Sequence, residues 1–251
     1  MSDSRAVLVT GGSRGIGRAI AHAFAAAGDR VAVHWGASRE RAEAVLTQLP
    51  GDGHVLVQAD LADADAVGRM VDEAAAALGR LDVLVNNAGV FTAHPPLSVS
   101  YEEWQAAWSR TLAVNLLGAA NATFRAVPHL VTAGGGAVVN VSSRGAFRGE
   151  PDTPAYGASK AGLNAFGQSM AIALAPHGIS VGTVAPGFVQ TEMAREVLDG
   201  PGGDAVRAQS PYGRVARPEE VASAVLWLAS PEARFSTGTI IDVNGASYLR
   251  S

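Results

Sequence analysis

The sequence predicts a single doubly wound α/β domain, a seven-stranded parallel sheet with helices on both faces. Three observations lead there. Short runs rich in Val, Leu and Ile alternate with longer segments of helical periodicity along the 251 residues. The distance between successive runs leaves room for the crossover helix that parallel strands require. The first run passes directly into a glycine-rich turn, "TGGSRGIG" at residues 10–17, where a sheet of this kind carries its anion-binding loop.

The elements follow in order. "AVLVT" (6–10) is a strand, and "RAIAHAFAAAG" after the glycines places Ile20, Ala23, Phe24 and Ala27 at helical spacing before Gly28 ends the helix. "RVAVHW" (30–35) is the second strand, and Ser38 is the N-cap of a helix over 38–49. A third strand (54–60), a helix (63–78) and a fourth strand (81–89) continue the alternation. Ser100 and Glu103 form a capping box that opens a long helix over 101–131, which Pro128 is expected to end or bend. Strand five spans 135–143, a helix covers 155–175, strand six spans 179–185, Pro218 starts a helix over 218–229, and 238–243 is the last strand. The Gly- and Pro-rich stretch 186–216 is read as irregular, with a substrate lid over about 188–215.

Composition narrows the function. A net charge of −4 with 17% charged residues gives no electrostatic footprint for nucleic acid. No cysteine is present, which removes disulfides and thiolate chemistry and fits a reducing, cytoplasmic setting. The six histidines have no metal-ligand spacing, so no metal is expected. "MSDSR" lacks the features of a secretory leader, and no apolar run is long enough for a membrane span. Of 19 basic residues, Lys160 is the one lysine; the rest are arginines.

Two ends of a nucleotide site are visible. Gly11, Gly15 and Gly17 allow a tight turn and close approach of backbone to a pyrophosphate at a helix N-terminus, the Rossmann arrangement. At the end of strand two, where a carboxylate would chelate the ribose of NAD, "HWGASR" offers none. Arg14 and Arg39 are placed to meet a 2′-phosphate, so NADP(H) is expected, with NAD(H) as the alternative if both arginines are only solvated surface groups. Toward the chemistry, Tyr156 and Lys160 are four residues apart in a helix and share a face. A neighbouring ammonium is expected to lower the phenol pKa toward neutrality.

Taken together, "TGGSRGIG" (10–17), Asp60 in "ADL", "NNAG" (86–89), Asn115 in "AVNLLG", Ser143, "YGASK" (156–160) and "PGFVQT" (186–191) resemble the short-chain dehydrogenase/reductase family over essentially the whole chain. The resemblance implies that Ser143 binds the substrate oxygen, Tyr156 is the general acid/base, Lys160 tunes it and binds ribose, and Asn115 holds a water linking the lysine to solvent. The thirteen residues that the family keeps before the tyrosine select Ser143 over Ser142. Gly11, Ser13, Arg14, Gly15, Ile16 and Gly17 would hold the pyrophosphate side, and Asp60 and Leu61 the adenine. Asn87, Ala88 and Gly89 would support the adenine ribose side, and Pro186, Gly187, Val189 and Thr191 the carboxamide.

The implied activity is hydride transfer between NADP(H) and a ketone, aldehyde or secondary alcohol. The alternatives are an NAD-dependent alcohol, sugar or steroid dehydrogenase and, more remotely, a non-catalytic nucleotide sensor. A homotetramer is implied, with the 101–131 and 155–175 helices at one interface. Within the family the likeness is greatest to the 3-oxoacyl-[acyl-carrier-protein] reductase type, including the ending "VNGASYL". The chain departs from that type at "TAGGG" (132–136) and His177, where carrier-binding basic residues are usual, at Gly182, and at Arg144, read as meeting either an acidic substrate group or a subunit or solvent surface. Phe91, His94, Phe147, Phe188 and the 191–212 segment are the expected substrate walls.

Overall fold

The computed structural model describes residues 4–250, so the first three residues of the polar start and Ser251 lie outside the described residues. Seven strands are present: β1 (Ala6–Val9), β2 (Arg30–Trp35), β3 (Val55–Gln58), β4 (Val83–Asn86), β5 (Gly136–Val141), β6 (Ile179–Pro186) and β7 (Ile240–Val243). The helices are α1 (Gly15–Ala26), α2 (Arg39–Leu46), α3 (Ala64–Leu78), α4 (Tyr101–Leu112), α5 (Ala119–Thr132), α6 (Pro154–Leu174), α7 (Glu192–Asp199), α8 (Gly203–Arg207) and α9 (Pro218–Leu228). All strand pairs are parallel, in the order β3-β2-β1-β4-β5-β6-β7. The predicted fold class is the one observed. From β1 the chain winds outward to β3 and then returns to build β4 to β7 on the other side. The loops after β1 and β4 therefore part around a crevice.

The central strands are near-continuous Val, Leu and Ala because both faces are covered. Alternate residues serve two cores. Leu8, Leu84 and Val138 pack with α3, α5 and α6 through Met70, Ala126 and Ala171. Val7, Val9, Val33 and Val85 pack on the opposite face with α1 and α9 through Ile20, Phe24, Val221 and Val225. Full burial of a side chain such as Phe24 or Leu84 stabilises the fold by about 2–3 kcal/mol. The helix ends are set locally. Asp63 caps α3 by accepting from the backbone of Asp65 and Ala66, and Ser100 and Glu103 form the predicted capping box on α4.

Two expectations change. The long helix predicted over 101–131 is not ended by Pro128, which sits inside α5. The irregularity is a π-helical turn, Ala113–Gly118, that joins α4 to α5. Its wide turn carries Asn115, and Gly118 lets the helix approach so closely that an added Cβ would lie 2.6 Å from the Leu61 carbonyl oxygen. The stretch 186–216 is not irregular throughout, since it holds α7 and α8, with Ala194 and Leu198 turned inward.

Candidate active site

The glycine loop is held in shape from behind. Thr10 Oγ1 accepts from the backbone of Asn87 at 2.9 Å and of Ala88 at 3.1 Å, while Asn87 Nδ2 donates to the carbonyls of Thr10 at 2.8 Å and Gly11 at 3.2 Å. These bonds lock the turn after β1 to the turn after β4. Gly11 is at φ +64°, a conformation costly for any residue with a Cβ. At Gly17 an added Cβ would lie 2.1 Å from the Gly11 carbonyl oxygen and 2.5 Å from Asn87 Nδ2, so that position is a cradle only glycine fits.

His34, at the end of β2, completes this bracing and was not singled out from the sequence. Its Nδ1 accepts from the Gly11 N–H at 2.9 Å, and its Nε2 lies 3.1 Å from the Ala59 carbonyl oxygen. Only a neutral ring protonated at Nε2 satisfies both contacts. Burial drives the pKa in the same direction, down to about 4, against the smaller opposing pulls of the Ala59 carbonyl and of Asp60. Strand alternation, which turns His34 to the side of Ala32 and away from Val33, was the available signal; its partners 23 and 25 residues away in sequence were not legible.

A cleft of about 650 Å³ opens over these loops, a volume that fits a dinucleotide-type ligand better than a water cluster. Gly11, Ser13, Arg14, Gly15, Ile16, Gly17, Asp60, Leu61, Asn87, Ala88 and Gly89 line one part of it. Ser143, Tyr156, Lys160, Pro186, Gly187, Val189 and Thr191 line the other, so the structure brings nearly the whole expected set together. The glycine cradle and its backbone amides fit a pyrophosphate, and Arg14 and Arg41 stand on the rim of the cleft. The residues that would hold such a cofactor are therefore those of the glycine loop, the β2 end and the β6 end.

Two expected residues stand outside the lining. Arg39 turns along its own helix to pair with Glu43 at 2.8 Å, and Arg41 lines the cleft in its place with Ser38. The cause is helical register. Ser38 is the N-cap, so position 41, one turn in, faces the strand ends while 39 faces solvent. Arg41 also meets Glu192 of α7 at 3.1 Å. Asn115 lies behind the wall. Its amide accepts from the Val90 N–H at 2.8 Å and donates to the Val90 carbonyl at 3.0 Å and to Ser159 Oγ at 3.1 Å. The side chain thus clamps the segment after β4 rather than facing the cleft.

Asp60 is engaged by Arg110 of α4, whose Nη1 lies 3.0 and 2.9 Å from the two carboxylate oxygens. That hydrogen bond, followed by the Ala62 backbone N–H, holds the carboxyl below its ordinary range. Arg110 also lines the cleft. No local pattern marks it, because the partners are 50 residues apart.

At the chemical end, α6 carries Tyr156 and Lys160 one turn apart, with Lys160 Nζ 5.8 Å from the Tyr156 ring centroid. Nζ donates to the Val141 carbonyl at 2.8 Å, at the end of β5. Burial lowers the lysine pKa to about 8. The expected depression of the tyrosine is not seen. Burial raises its pKa, and the Ser143 hydroxyl, which hydrogen-bonds it, pulls the other way more weakly. The ammonium is turned to the Val141 carbonyl, and the loss of solvation is the largest influence on the phenol. Ser143 also accepts from the Gly145 N–H at 3.0 Å, which aims its hydroxyl toward the tyrosine side. Ser142 donates instead to the Lys160 carbonyl at 3.2 Å and is structural.

The substrate walls are partly revised. Phe91 and Phe188 line the cleft, and Phe91 meets Tyr156 edge to face at 5.0 Å. His94 is buried as a tether, its Nε2 accepting from the Ala155 N–H at 3.2 Å and its ring packed against Trp104. Phe147 lies under the Arg250 guanidinium, 4.5 Å away, and lines no part of the cleft. Arg144 is only 4% exposed and so is not a solvent-surface residue.

A doubly wound parallel sheet with a glycine cradle at its switch point and, beside it, a half-buried Ser and Tyr with a buried Lys defines a dinucleotide-dependent oxidoreductase. A family model described as Enoyl-(Acyl carrier protein) reductase matches residues 11–246. The chain is 38% identical over 251 residues to the 3-oxoacyl-[acyl-carrier-protein] reductase FabG of Staphylococcus aureus, covering 99% of this chain and 100% of that one. It is 40% identical over 243 residues to the cis-4-hydroxycyclohexanecarboxylate dehydrogenase of Sinomonas cyclohexanicum, covering 96% and 95%. Among solved structures it is similar to a short chain dehydrogenase from Burkholderia cenocepacia in complex with NADP, with a TM-score of 0.88, 38% identity and 97% of each chain covered. The chain belongs to the short-chain dehydrogenase/reductase family.

Proposed function

We propose that the protein is an NADP(H)-dependent carbonyl reductase that works, in the reverse direction, as a secondary-alcohol dehydrogenase. The observation that carries this reading is the placement of Ser143, Tyr156 and Lys160 at the inner end of a dinucleotide-sized cleft. The cofactor, when bound, supplies or accepts the hydride. Ser143 donates to the carbonyl oxygen and orients it. Tyr156, which burial keeps protonated at neutral pH, gives its proton to that oxygen as negative charge develops there. Lys160, still cationic at pH 7 with a pKa of about 8, stabilises the phenolate left behind. Asn115 holds the Val90 segment, and with it the cleft floor, in register.

Arg14 and Arg41 on the rim, with no carboxylate at the end of β2, support NADP(H) over NAD(H). The NADP complex of the Burkholderia relative is consistent with this. Residues 188–215, through Phe188, Met193 and Val197, would act as the lid on the substrate side. Exposed Tyr101, Leu117, Phe124 and Ile172 on the α4, α5 and α6 side support a homotetramer, which light scattering in solution would test. The described residues contain no helix long and apolar enough to cross a membrane, and the cysteine-free composition supports a cytoplasmic setting. The deciding experiment measures dissociation constants for NADPH and NADH and follows NADPH absorbance with a panel of ketones and aldehydes, with Tyr156→Phe as control. Tighter NADH binding, or carbonyl reduction undiminished in the variant, would overturn the proposal.

A further inference from the structure

Arg144 follows Ser143 directly and is a buried cation in the cleft wall that the reaction above does not use. It is 4% exposed, and its guanidinium has one hydrogen bond, from Nη1 to Ser247 Oγ at 2.8 Å. Its Cζ lies over the Phe188 ring, 5.0 Å from the centroid. No carboxylate pairs with it among the described residues. A guanidinium has five N–H donors, and a buried one without a counter-ion pays a desolvation penalty that an arriving anion would relieve. Burial lowers its pKa, as expected for a cation lacking a partner.

The surroundings sharpen the point. Arg144 stands in the wall between the main cleft and a smaller cavity of about 200 Å³. Both carboxylates of the smaller cavity are already engaged, Glu220 by Arg214 at 2.7 Å and Asp242 by Arg250 at 2.7 Å. Glu150, in the main cleft, is the one carboxylate whose charge reaches Arg144, and it forms no ion pair with it. Ser247 takes one N–H and Phe188 packs close by, and the remaining N–H donors have no protein partner among the described residues, in a side chain whose residue lines both the main cleft and the smaller cavity. A planar, oriented donor pair of this kind matches a carboxylate.

We propose that Arg144 is a specificity-determining residue that binds the carboxylate of an oxo-acid or hydroxy-acid substrate while the adjacent Ser143 holds the reacting oxygen. This rests on the carbonyl reductase reading, and it adds the substrate class to it. A carboxylate seated on Arg144 anchors the substrate at a point remote from the hydride, so its contribution is expected mainly in KM.

The test uses the full chain with NADPH and straight-chain 3-, 4- and 5-oxo acids of five to eight carbons, each paired with its neutral amide. The best acid is expected to exceed its amide at least 30-fold in kcat/KM. Arg144→Met should collapse that ratio to within about threefold of unity, Arg144→Lys should restore part of it, and Glu150→Gln should raise it. Calorimetry with cyclohexanecarboxylate and cyclohexanecarboxamide in the presence of NADP reads binding independently of turnover. The carboxylate is expected to bind at least 30-fold more tightly, and only when Arg144 is intact. Equal turnover of acids and amides, or a ratio unchanged in Arg144→Met, overturns the inference while leaving the reductase reading in place. Carboxylate binding that depends on Arg144 without reduction of any carbonyl overturns the reductase reading and keeps the anion site.

Discussion

Protonating His34 removes the acceptor that the Gly11 N–H uses, so acid should unfold this protein partly through one ring. The group has an ordinary pKa of 6.5 when the chain is unfolded and about 4 when folded. Because the folded value is the lower one, the unfolded chain binds the extra proton first, and stability falls as pH drops from 6.5 through 4. Linkage between those two values gives a loss of about 2 kcal/mol by pH 5 and about 3 kcal/mol once the pH is below 4. The perturbation is His34→Gln, whose amide does not titrate. Urea unfolding of both chains at several pH values between 8 and 4.5 isolates the effect as a difference in slope, so any constant cost of the substitution drops out. The wild type should lose about 2 kcal/mol more than the variant between pH 8 and pH 5. Parallel curves, or a His34 ring seen by NMR to titrate near 6.5, would refute the bracing of the glycine loop by a neutral imidazole.

Three further outcomes follow from the same geometry. Gly17→Ala would place a Cβ 2.1 Å from the Gly11 carbonyl oxygen, and since backbone must move, a destabilisation of about 2–3 kcal/mol and at least a hundredfold weaker NADPH binding are expected; calorimetry showing normal affinity would count against the cradle. Lys160→Met should lose turnover at least a thousandfold yet gain about 2 kcal/mol at pH 7, because burial lowers the lysine pKa from 10.5 to about 8, a cost of about 3 kcal/mol on the ammonium, against which about 1 kcal/mol is lost with the bond to the Val141 carbonyl. Consistent with that sign, wild-type stability relative to the variant should improve as pH rises from 8 to 10.5, whereas Lys160→Arg should keep the charge and still lose most turnover. Arg41→Ala should narrow the NADPH-to-NADH affinity ratio at least tenfold with under 1 kcal/mol of stability change, because its pair with Glu192 is half-exposed, and Arg39→Ala should leave the ratio unmoved.

The legible features of this chain are those encoded within a few residues of one another. Strand runs, the Ser100 capping box, the glycine loop and the Tyr156 to Lys160 spacing all depend on periods of two or 3.6 residues or on one turn, and each is found where the pattern puts it. Arg39 shows the grain of that reading: the cap at Ser38 was recognised, but the step from cap to facing residue required knowing which side of α2 meets the strand ends. Pro128, expected to end or bend the long helix, does not end it but lies inside α5, and the change of helical type falls instead at the turn that carries Asn115.

The sequence by itself determined the sheet, its winding and most of the residues that meet at the candidate site, because these follow from backbone geometry and from motifs that are short in the chain. Only the tertiary structure decided that His34 braces the loop, that Arg110 engages Asp60, that Asn115 clamps Val90, and that Arg144 is buried without a carboxylate. Each of these depends on desolvation and on partners brought together from distant parts of the chain. Burial also reversed the expected direction of the Tyr156 pKa, since the cost of losing water is set by everything packed around a group and not by its neighbour one turn away.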